Sequence, residues 1–240
     1  SIIVISHIHD IKAHKGAKYE YLINFVQRIQ IVRSDYFTVF GKTMKKKLSQ
    51  LFTIDTKRIL ETPHGVSRPY TQKNKKITRI PKVCFVGRID KYKDIPTFLK
   101  IAKIFQEKNR HIQFHLAGSG DLSAYNEKIQ ILNNIKVDNK LLTNEEIDDI
   151  FKTSMVSLLP YMDASQSGVI PIAYYNSCPV IATNVGGLPE FIDHGNTGYI
   201  VNRDDIDSMV MFIDKIINDQ SLLSTMENNC YNYYNNNLRY

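Results

Sequence analysis

Residues Met155 to Val201 read MVSLLPYMDASQSGVIPIAYYNSCPVIATNVGGLPEFIDHGNTGYIV. An apolar strand is followed by a loop of small and polar residues, 163–168, which opens an apolar helix. A second apolar strand, 179–183, leads into Gly186-Gly187 and another helix start. This order places loop amides and a helix N-terminus at the carboxyl end of a parallel strand, where α/β sheets bind phosphorylated ligands.

The same alternation of short β-branched runs and longer amphipathic segments continues along the chain, and it predicts an α/β fold with parallel sheets. The predicted strands are 2–6, 36–40, 58–61, 82–87, 112–117, 134–137, 156–160, 180–183 and 198–201. The predicted helices are 18–32, 42–52, 94–108, 121–132, 144–152, 168–175, 188–193, 205–218 and 221–231. Apolar residues recur at helical spacing in 94–108, and Thr143 to Glu146 resembles a capping box.

The composition is that of a globular protein, with 43% hydrophobic and 23% charged residues among 240. No apolar run reaches the roughly 20 residues that a membrane-spanning helix needs, and no secretory signal is recognisable. Three cysteines without CxxC spacing favour reduced, buried thiols over disulfides or a zinc site. These features predict a cytoplasmic protein.

Charge is unevenly distributed along the chain. Residues 1–80 carry 16 Lys and Arg against 5 Asp and Glu, which predicts an anionic partner. Nucleic acid is disfavoured, because no known binding motif accompanies the charge. The basic segment Lys42 to Leu51 predicts an amphipathic helix. That helix has either a solvated basic face or a peripheral contact with an anionic membrane, at the inner face of the cell membrane.

The domain organisation follows from changes in composition. The polar, basic stretch 68–81 predicts a linker, and 82–218 holds one complete doubly wound domain. Residues 1–67 hold only three predicted strands and two long helices, which is little for an independent domain. In 219–240 we expect a helix and then an Asn- and Tyr-rich tail whose composition argues against helix to the very end.

Five segments together resemble one known family. The stretches VGRIDKYKD, HLAGSGD, PYMDASQSGV, PVIATNVGGLPEFI and GNTGYIV match, in the same order, family 4 (group 1) glycosyltransferases. The resemblance implies a GT-B fold of two facing Rossmann-like domains. The first, at 1–67, would be incomplete and without its opening glycine-rich loop, so we expect a truncated reading frame or a piece of a longer protein.

The resemblance also implies an activity. Family members are retaining, metal-independent enzymes of the hexosyltransferase type, and their donor is a nucleotide-diphosphate sugar with no further cofactor. The acceptor would be a glycan or a lipid-linked glycan in bacterial surface polysaccharide synthesis. The alternative is a non-catalytic binding module that acts with a partner chain.

Three cations, Arg88, Lys91 and Lys93, lie in the turn after the predicted strand 82–87. A diphosphate needs cationic side chains and converging N–H groups, and Arg88 and Lys93 follow the turn residue Gly87. By resemblance, Arg88 and Lys93 bind the donor diphosphate and stabilise its leaving charge, and Gly87 is one of the donor-binding residues. Lys91 lies in the same turn and is an alternative to Lys93.

Two further loops are candidates for the donor site. Gly118 and Gly120 follow a predicted strand, but Ser123 replaces the third glycine of a dinucleotide fingerprint, so NAD is disfavoured. This turn is either a wall of the donor cleft or a plain tight turn. The second loop offers backbone N–H groups and one carboxylate to a donor sugar, or else only caps a helix. Its candidate residues are Asp163, Ser165, Gln166, Ser167, Gly168 and Val169.

The sequence departs from the common family pattern at one point. Two Glu residues eight positions apart usually lie here, and the matching positions are Ala164 and Ile172. Asp163 could replace the first Glu in binding the sugar, whereas nothing replaces the second, which usually binds ribose. The chain therefore resembles a variant subgroup.

Histidines cluster near the start of the chain, at His7, His9 and His14, with Asp10 among them. Their spacing could serve a metal, but no cysteine accompanies them and a strand precedes them, so we expect no metal site. The resemblance favours His9 as a cleft histidine that faces the transferred sugar. The alternative is a plain turn histidine.

Overall fold

The computed structural model describes residues 2–9, 11, 20–66 and 78–239. The chain divides into two compact units, unit 1 (Ser1–His64) and unit 2 (Gly65–Tyr240). Most of the predicted linker, residues 68–77, lies outside the described part, whereas residues 78–81 belong to unit 2.

The described residues of unit 1 form a parallel sheet of three strands in the order β1-β2-β3. Its elements are β1 (Ile5–Ile8), α1 (Glu20–Arg33), β2 (Tyr36–Phe40), α2 (Gly41–Phe52) and β3 (Ile59–Thr62). The core lies on one face of this sheet, where Phe37, Val39 and Ile59 cluster with Met44 and Leu48 of α2. The amphipathic helix predicted at 42–52 is therefore confirmed.

Unit 2 has a parallel sheet of six described strands in the order β6-β5-β4-β7-β8-β9. Its strands are β4 (Ile80–Val86), β5 (Gln113–Ala117), β6 (Ile135–Asp138), β7 (Ser154–Leu159), β8 (Val180–Thr183) and β9 (Gly198–Val201). Its helices are α3 (Ile95–Glu107), α4 (Asn126–Gln130), α5 (Asn144–Thr153), α6 (Val169–Tyr175), α7 (Ile206–Asn218) and α8 (Gln220–Tyr233). The strand order reverses between β4 and β7, and in open α/β sheets a crevice forms at the carboxyl ends of strands at this point.

The α/β fold class is thus confirmed, and the local signals explain why. The apolar positions predicted for α3 are buried, and Asp94 caps this helix by accepting from Thr97 N at 3.3 Å. The predicted capping box at α5 is formed, because Thr143 N donates to Glu146 Oε2 at 2.9 Å and Glu146 N donates to Thr143 Oγ1 at 3.2 Å. The three cysteine thiols are free and buried, as predicted.

Two helix predictions are wrong in type or extent. The segment 121–132 is a 3₁₀ turn at Ser123–Tyr125 followed by the short α4. Asp121 Oδ1 accepts from Ser123 N at 2.8 Å, which favours a turn over a helix at this point. The segment 188–193 is likewise a 3₁₀ turn, Leu188–Phe191.

The expectation that helix does not extend to the end of the chain is also wrong. A π-helical turn, Tyr234–Leu238, continues directly from α8. Tyr234 and Leu238 are buried, and the Tyr234 hydroxyl donates to Val66 O at 3.0 Å. Tyrosines that looked like features of a polar tail therefore anchor the end of unit 2.

Candidate functional site

Two loops leave the sheet of unit 2 where the strand order reverses. The first, which we call the β4 turn, is 87–94 and follows β4. The second, the β7 loop, is 160–168 and follows β7. Met162 N donates to Tyr92 O at 2.7 Å, so the backbones of the two loops are joined. The sequence predicted donor-site residues in both loops, and the fold brings these loops together.

Lys93 is the buried cation of this crevice. It closes a 3₁₀ turn, Lys91–Lys93, that begins at Asp90, whose carboxylate accepts from Lys91 N at 2.8 Å. Lys93 is 7% exposed, and no carboxylate of the described residues lies within ion-pair distance of its Nζ. Burial lowers the pKa of the Lys93 ammonium from its ordinary value. An unpaired cation in such a place is costly, which makes it a candidate partner for an anionic ligand.

Tyr161 links Lys93 to the β7 loop. Lys93 Nζ donates to the Tyr161 hydroxyl at 3.2 Å and lies 4.9 Å from the centroid of that ring. The same hydroxyl is hydrogen-bonded to Ser167, whose Oγ also accepts from Val169 N at 3.3 Å. Tyr161 is fully buried, and burial raises the pKa of its hydroxyl. The sequence analysis assigned no role to this tyrosine, although it stands in one of the matching segments.

Gly87 adjoins the Lys93 ammonium. Its φ is +132°, and a Cβ built there would lie 2.8 Å from Lys93 Nζ and 3.7 Å from Val169 Cγ2. Gly87, Lys93 and Val169, all predicted donor-site residues, thus surround one small space. Only glycine leaves that space open.

Gly118 has a structural explanation of its own. A Cβ at Gly118 would lie 2.0 Å from Gly87 O, so its absence lets the turns after β4 and β5 pack backbone against backbone. Ile89 N donates to Ser119 O at 2.8 Å in the same contact. Gly120 is clamped by Asn139, whose side-chain amide accepts from Gly120 N at 3.1 Å and donates to Gly120 O at 3.0 Å. No sequence pattern predicted this contact between Asn139 and Gly120.

The other two cations of the β4 turn point outward. The Arg88 side chain is 67% exposed and pairs with Asp90, with 3.2 Å between Nη2 and Oδ2. Lys91 is exposed. The sequence left Lys91 and Lys93 as alternatives, and of the two only Lys93 is buried.

The β7 loop rests on the glycine pair after β8. Gly187 N donates to Ala164 O at 3.2 Å, and a Cβ at Gly186 would lie 1.5 Å from Ala164 O. Asp163 is exposed at this loop, whereas Ser167 is buried. Ser165, Gln166 and Gly168 are half-buried.

In unit 1, His9 belongs to a cluster of aromatic rings at the carboxyl ends of the strands. Its ring centroid lies 5.9 Å from that of Phe40 and 6.3 Å from that of His64. His7 packs on the same phenylalanine at 4.5 Å, and its Nδ1 lies 2.8 Å from Thr38 Oγ1. Partial burial and then the nearby His9 lower the pKa of His7.

Phe40 joins these histidines, and the sequence analysis did not single it out. Two members of the predicted histidine cluster, Asp10 and His14, lie outside the described residues. Within the described ranges, no group of three His, Cys, Asp or Glu side chains is arranged to hold a metal ion.

Comparison with known proteins identifies the family. The family described as glycosyl transferases group 1 matches residues 80–219, which is more than half of the chain. The chain therefore belongs to this family, as its motifs predicted.

Individual relatives agree with this assignment. The capsular polysaccharide biosynthesis glycosyltransferase CapM of Staphylococcus aureus is 27% identical over 169 residues, covering 60% of this chain and 39% of CapM. An uncharacterised 41.2 kDa protein in the cps region of Klebsiella pneumoniae is 29% identical over 221 residues, covering 87% of this chain and 58% of that protein. The chain thus spans between two fifths and three fifths of the length of these relatives.

Solved structures confirm the GT-B fold class. The crystal structure of Anabaena HepE in complex with UDP-glucose matches with a TM-score of 0.80 and 14% identity, covering 99% of this chain and 68% of HepE. At this identity the likeness shows the fold alone. Among the helices that the structure describes, none is long and apolar enough to span a membrane.

Proposed function

We propose that this chain carries the donor site of a retaining, metal-independent glycosyltransferase. The enzyme would move a sugar from a nucleotide-diphosphate sugar to a glycan or lipid-linked acceptor in bacterial surface polysaccharide synthesis. Membership of the group 1 family and similarity to CapM support the reaction class and the pathway. The retaining course and the independence of metal derive from the family resemblance.

The single observation that carries the donor site is the Lys93 ammonium, buried beside Gly87 without a carboxylate partner among the described residues. Burying a cation without a counter-ion costs free energy. A bound diphosphate would supply the missing charge through the space that Gly87 leaves open. Charge-assisted hydrogen bonds of this kind are short and strong.

The Lys93 ammonium also suits the departure of the diphosphate leaving group. When the sugar leaves, negative charge develops on the departing diphosphate, and a fixed cation in a water-poor crevice stabilises that charge without reorganising. Arg88, exposed at the rim of the β4 turn, can leave Asp90 and bind the phosphates bidentately. The leaving phosphate would then assist the acceptor hydroxyl on the same face of the sugar.

The sugar itself is assigned to the β7 loop. Ser167 is held by Tyr161, the residue that also contacts Lys93, so one buried hydroxyl joins the diphosphate position to this loop. Asp163 is exposed to solvent, and its carboxylate can accept hydrogen bonds from sugar hydroxyls. The role of His9 towards the transferred sugar remains a prediction.

The acceptor is inferred from charge. The excess of Lys and Arg in residues 1–80 favours an anionic, lipid-linked acceptor, and the exposed Lys46 and Lys47 of α2 favour peripheral contact with an anionic membrane. No nucleic acid is proposed as a partner.

Calorimetric titration of the 1–240 chain with UDP, GDP, ADP and dTDP tests the donor site. We expect one nucleotide to bind and Lys93→Ala to weaken it by about 10- to 100-fold, since a hydrogen bond to a charged group contributes about 1.5–3 kcal/mol. Lys91→Ala is the matched control, because Lys91 lies in the same turn but is exposed. Equal losses in both variants, or no binding to a folded chain, would contradict the proposal.

The second candidate is a non-catalytic binding module that acts with a partner chain. It is favoured by the apolar side chains that unit 1 exposes, among them Ile5 and Phe25. The two candidates differ in one measurement. An enzyme hydrolyses or transfers the sugar of its donor in a Lys93-dependent manner, whereas a binding module leaves the donor intact.

A further inference from the structure

A cavity of about 410 Å³ lies at the amino-terminal edge of the unit 2 sheet. It is lined by the end of α3, the start of β5 and the residues just before β6. The donor site proposed above lies at the opposite edge, because its loops leave the carboxyl ends of β4 and β7. The cavity is therefore separate from the donor site, and its volume falls within the roughly 300–1,000 Å³ of small-molecule sites.

Side-chain amides dominate the lining of this cavity. Five of its eight lining residues are Asn or Gln. Each amide offers two N–H donors and a carbonyl acceptor in one flat group. We call the cavity the amide pocket, after Gln106, Asn109, Gln113, Asn133 and Asn134.

Two of these amides are held in place by the backbone. Gln106 Oε1 accepts from Asn133 N at 2.7 Å, and Gln106 Nε2 donates to Ile131 O at 3.2 Å. Asn134 Nδ2 donates to Ala102 O at 2.9 Å, whereas the buried Asn134 Oδ1 accepts no hydrogen bond within the described part of the chain. A buried acceptor without a donor costs free energy, and a hydroxyl group in the pocket would supply that donor.

The charge of the amide pocket disfavours an anion. Arg110 is the one permanently charged side chain among its described lining residues, and Arg110 already pairs with Asp214 at 2.9 Å and donates to Asn218 at 2.8 Å. The described lining also contains no Phe, Tyr or Trp on which a nucleobase could stack. The lining therefore favours an uncharged ligand rich in hydroxyl groups, which donate and accept as the amides do.

We propose that the amide pocket is a second glycan site, which binds an uncharged sugar residue of a polysaccharide chain. The choice of a polysaccharide rests on the proposed function, since that enzyme extends such a chain. A chain held at this edge of the sheet raises the effective concentration of its end near the donor site. The pocket thus retains the glycan between successive encounters with the donor.

Nuclear magnetic resonance of the ¹⁵N-labelled 1–240 chain tests the pocket through its own side-chain amides. The probes are the methyl glycosides of glucose, galactose, mannose and N-acetylglucosamine. We expect at least one of them to shift the NH₂ signals of Asn109, Gln113 and Asn133. The signals of Asn202 and Gln220, exposed amides of unit 2 outside the pocket, should stay in place. No shift with any of the four glycosides, or shifts caused by inorganic phosphate in their place, would overturn the proposal.

A double variant measures what the exposed amides contribute. Asn109→Gly with Gln113→Ala removes two of them, and glycine retains the φ of +51° that Asn109 adopts. We expect the affinity for the glycoside to fall at least tenfold. Asn202→Gly with Gln220→Ala is the matched control and should change it less than twofold, while circular dichroism shows both variants folded. Equal losses in the two double variants would contradict a site in the pocket.

The Lys93→Ala chain separates this proposal from the donor site. We expect it to bind the glycoside as the wild-type chain does, although its nucleotide affinity falls. Loss of the glycoside in Lys93→Ala would place the sugar at the donor site and overturn the second site. Glycoside binding by a chain that binds no nucleotide would contradict the donor site and still support the amide pocket.

Discussion

Unit 2 buries a charged side chain, whereas unit 1 exposes large apolar side chains. Folded proteins ordinarily expose their charged residues and bury their large apolar ones. In unit 2, Lys93 is held among Phe85, Tyr92 and Tyr161. In unit 1, apolar side chains such as Phe25 of α1 and Ile5 of β1 are exposed to solvent. Both arrangements are unfavourable in the isolated chain. The buried charge supports the anion site proposed for unit 2, whereas the exposed side chains of unit 1 are apolar surface that folded proteins ordinarily cover.

Arg79 is a second buried cation of unit 2, and it contrasts with Lys93 because its partners are all protein groups. We expect its removal to have the largest effect on stability among the variants described below. The Arg79 guanidinium is buried and donates to the carbonyl oxygens of Phe151 at 2.7 Å, Asn176 at 2.9 Å and Ser177 at 2.7 Å. It also pairs with Glu227. We expect Arg79→Ala to lower the free energy of unfolding by about 3–5 kcal/mol, because it leaves the half-buried Glu227 carboxylate and several helix-terminal carbonyls unpaired.

Urea unfolding followed by circular dichroism measures this loss. Arg110→Ala is the control, since Arg110 pairs with Asp214 at the surface and exposed pairs contribute about 0–1 kcal/mol. A loss of similar size in both variants would mean that Arg79 is not the structural cation of unit 2.

The space beside Lys93 is tested by Gly87→Ala. The added Cβ would lie 2.8 Å from Lys93 Nζ, so we expect the ammonium to be displaced and nucleotide affinity to fall about tenfold or more. Gly195→Ala is the control, because Gly195 also has a positive φ, +89°, but a Cβ there meets nothing within 4 Å. Calorimetry should therefore show weaker nucleotide binding for Gly87→Ala and unchanged binding for Gly195→Ala. Unchanged binding in both variants would mean that the ligand does not occupy the space beside Gly87.

Burial of the Lys93 ammonium should lower the free energy of unfolding, by less than the loss expected for Arg79→Ala. Since burial lowers the pKa of Lys93, the unfolded chain binds more protons than the folded chain between the lowered pKa and the ordinary value near 10.5. Stability attributable to this group therefore rises with pH through that window. We expect Lys93→Met to stabilise the chain by about 1 kcal/mol at neutral pH and to remove the rise.

Chemical denaturation between neutral pH and pH 10 checks this prediction, with Lys91→Met as the exposed control. If Lys93→Met instead destabilises the chain, Lys93 contributes to folding, and the contrast with Arg79 disappears.

Much of this architecture follows from sequence pattern alone. The helical spacing of Phe98, Leu99 and Phe105 encodes α3, and the capping box encodes the start of α5, because both signals are local. The loops at the strand reversal were also predicted, since parallel strands place their carboxyl ends at one edge.

Features that depend on distant partners were not predicted. Arg79 binds carbonyl oxygens, which every residue carries, so no side-chain pattern marks it as buried. Tyr234 looked like part of a polar tail, and its partner is the carbonyl of Val66, far away in the sequence. The contacts of Tyr161 were not predicted for the same reason, because Lys93 and Ser167 both reach this side chain only after folding.

The central claim is that Lys93 binds the diphosphate of the donor, and a thermodynamic cycle tests it most directly. Calorimetry compares the best-binding nucleoside diphosphate with its monophosphate, in the wild-type chain and in Lys93→Met. We predict that losing the second phosphate costs the wild-type chain at least tenfold more affinity than it costs the variant, a coupling of about 1.4 kcal/mol. The same loss in both proteins would contradict the assignment of Lys93 to the diphosphate.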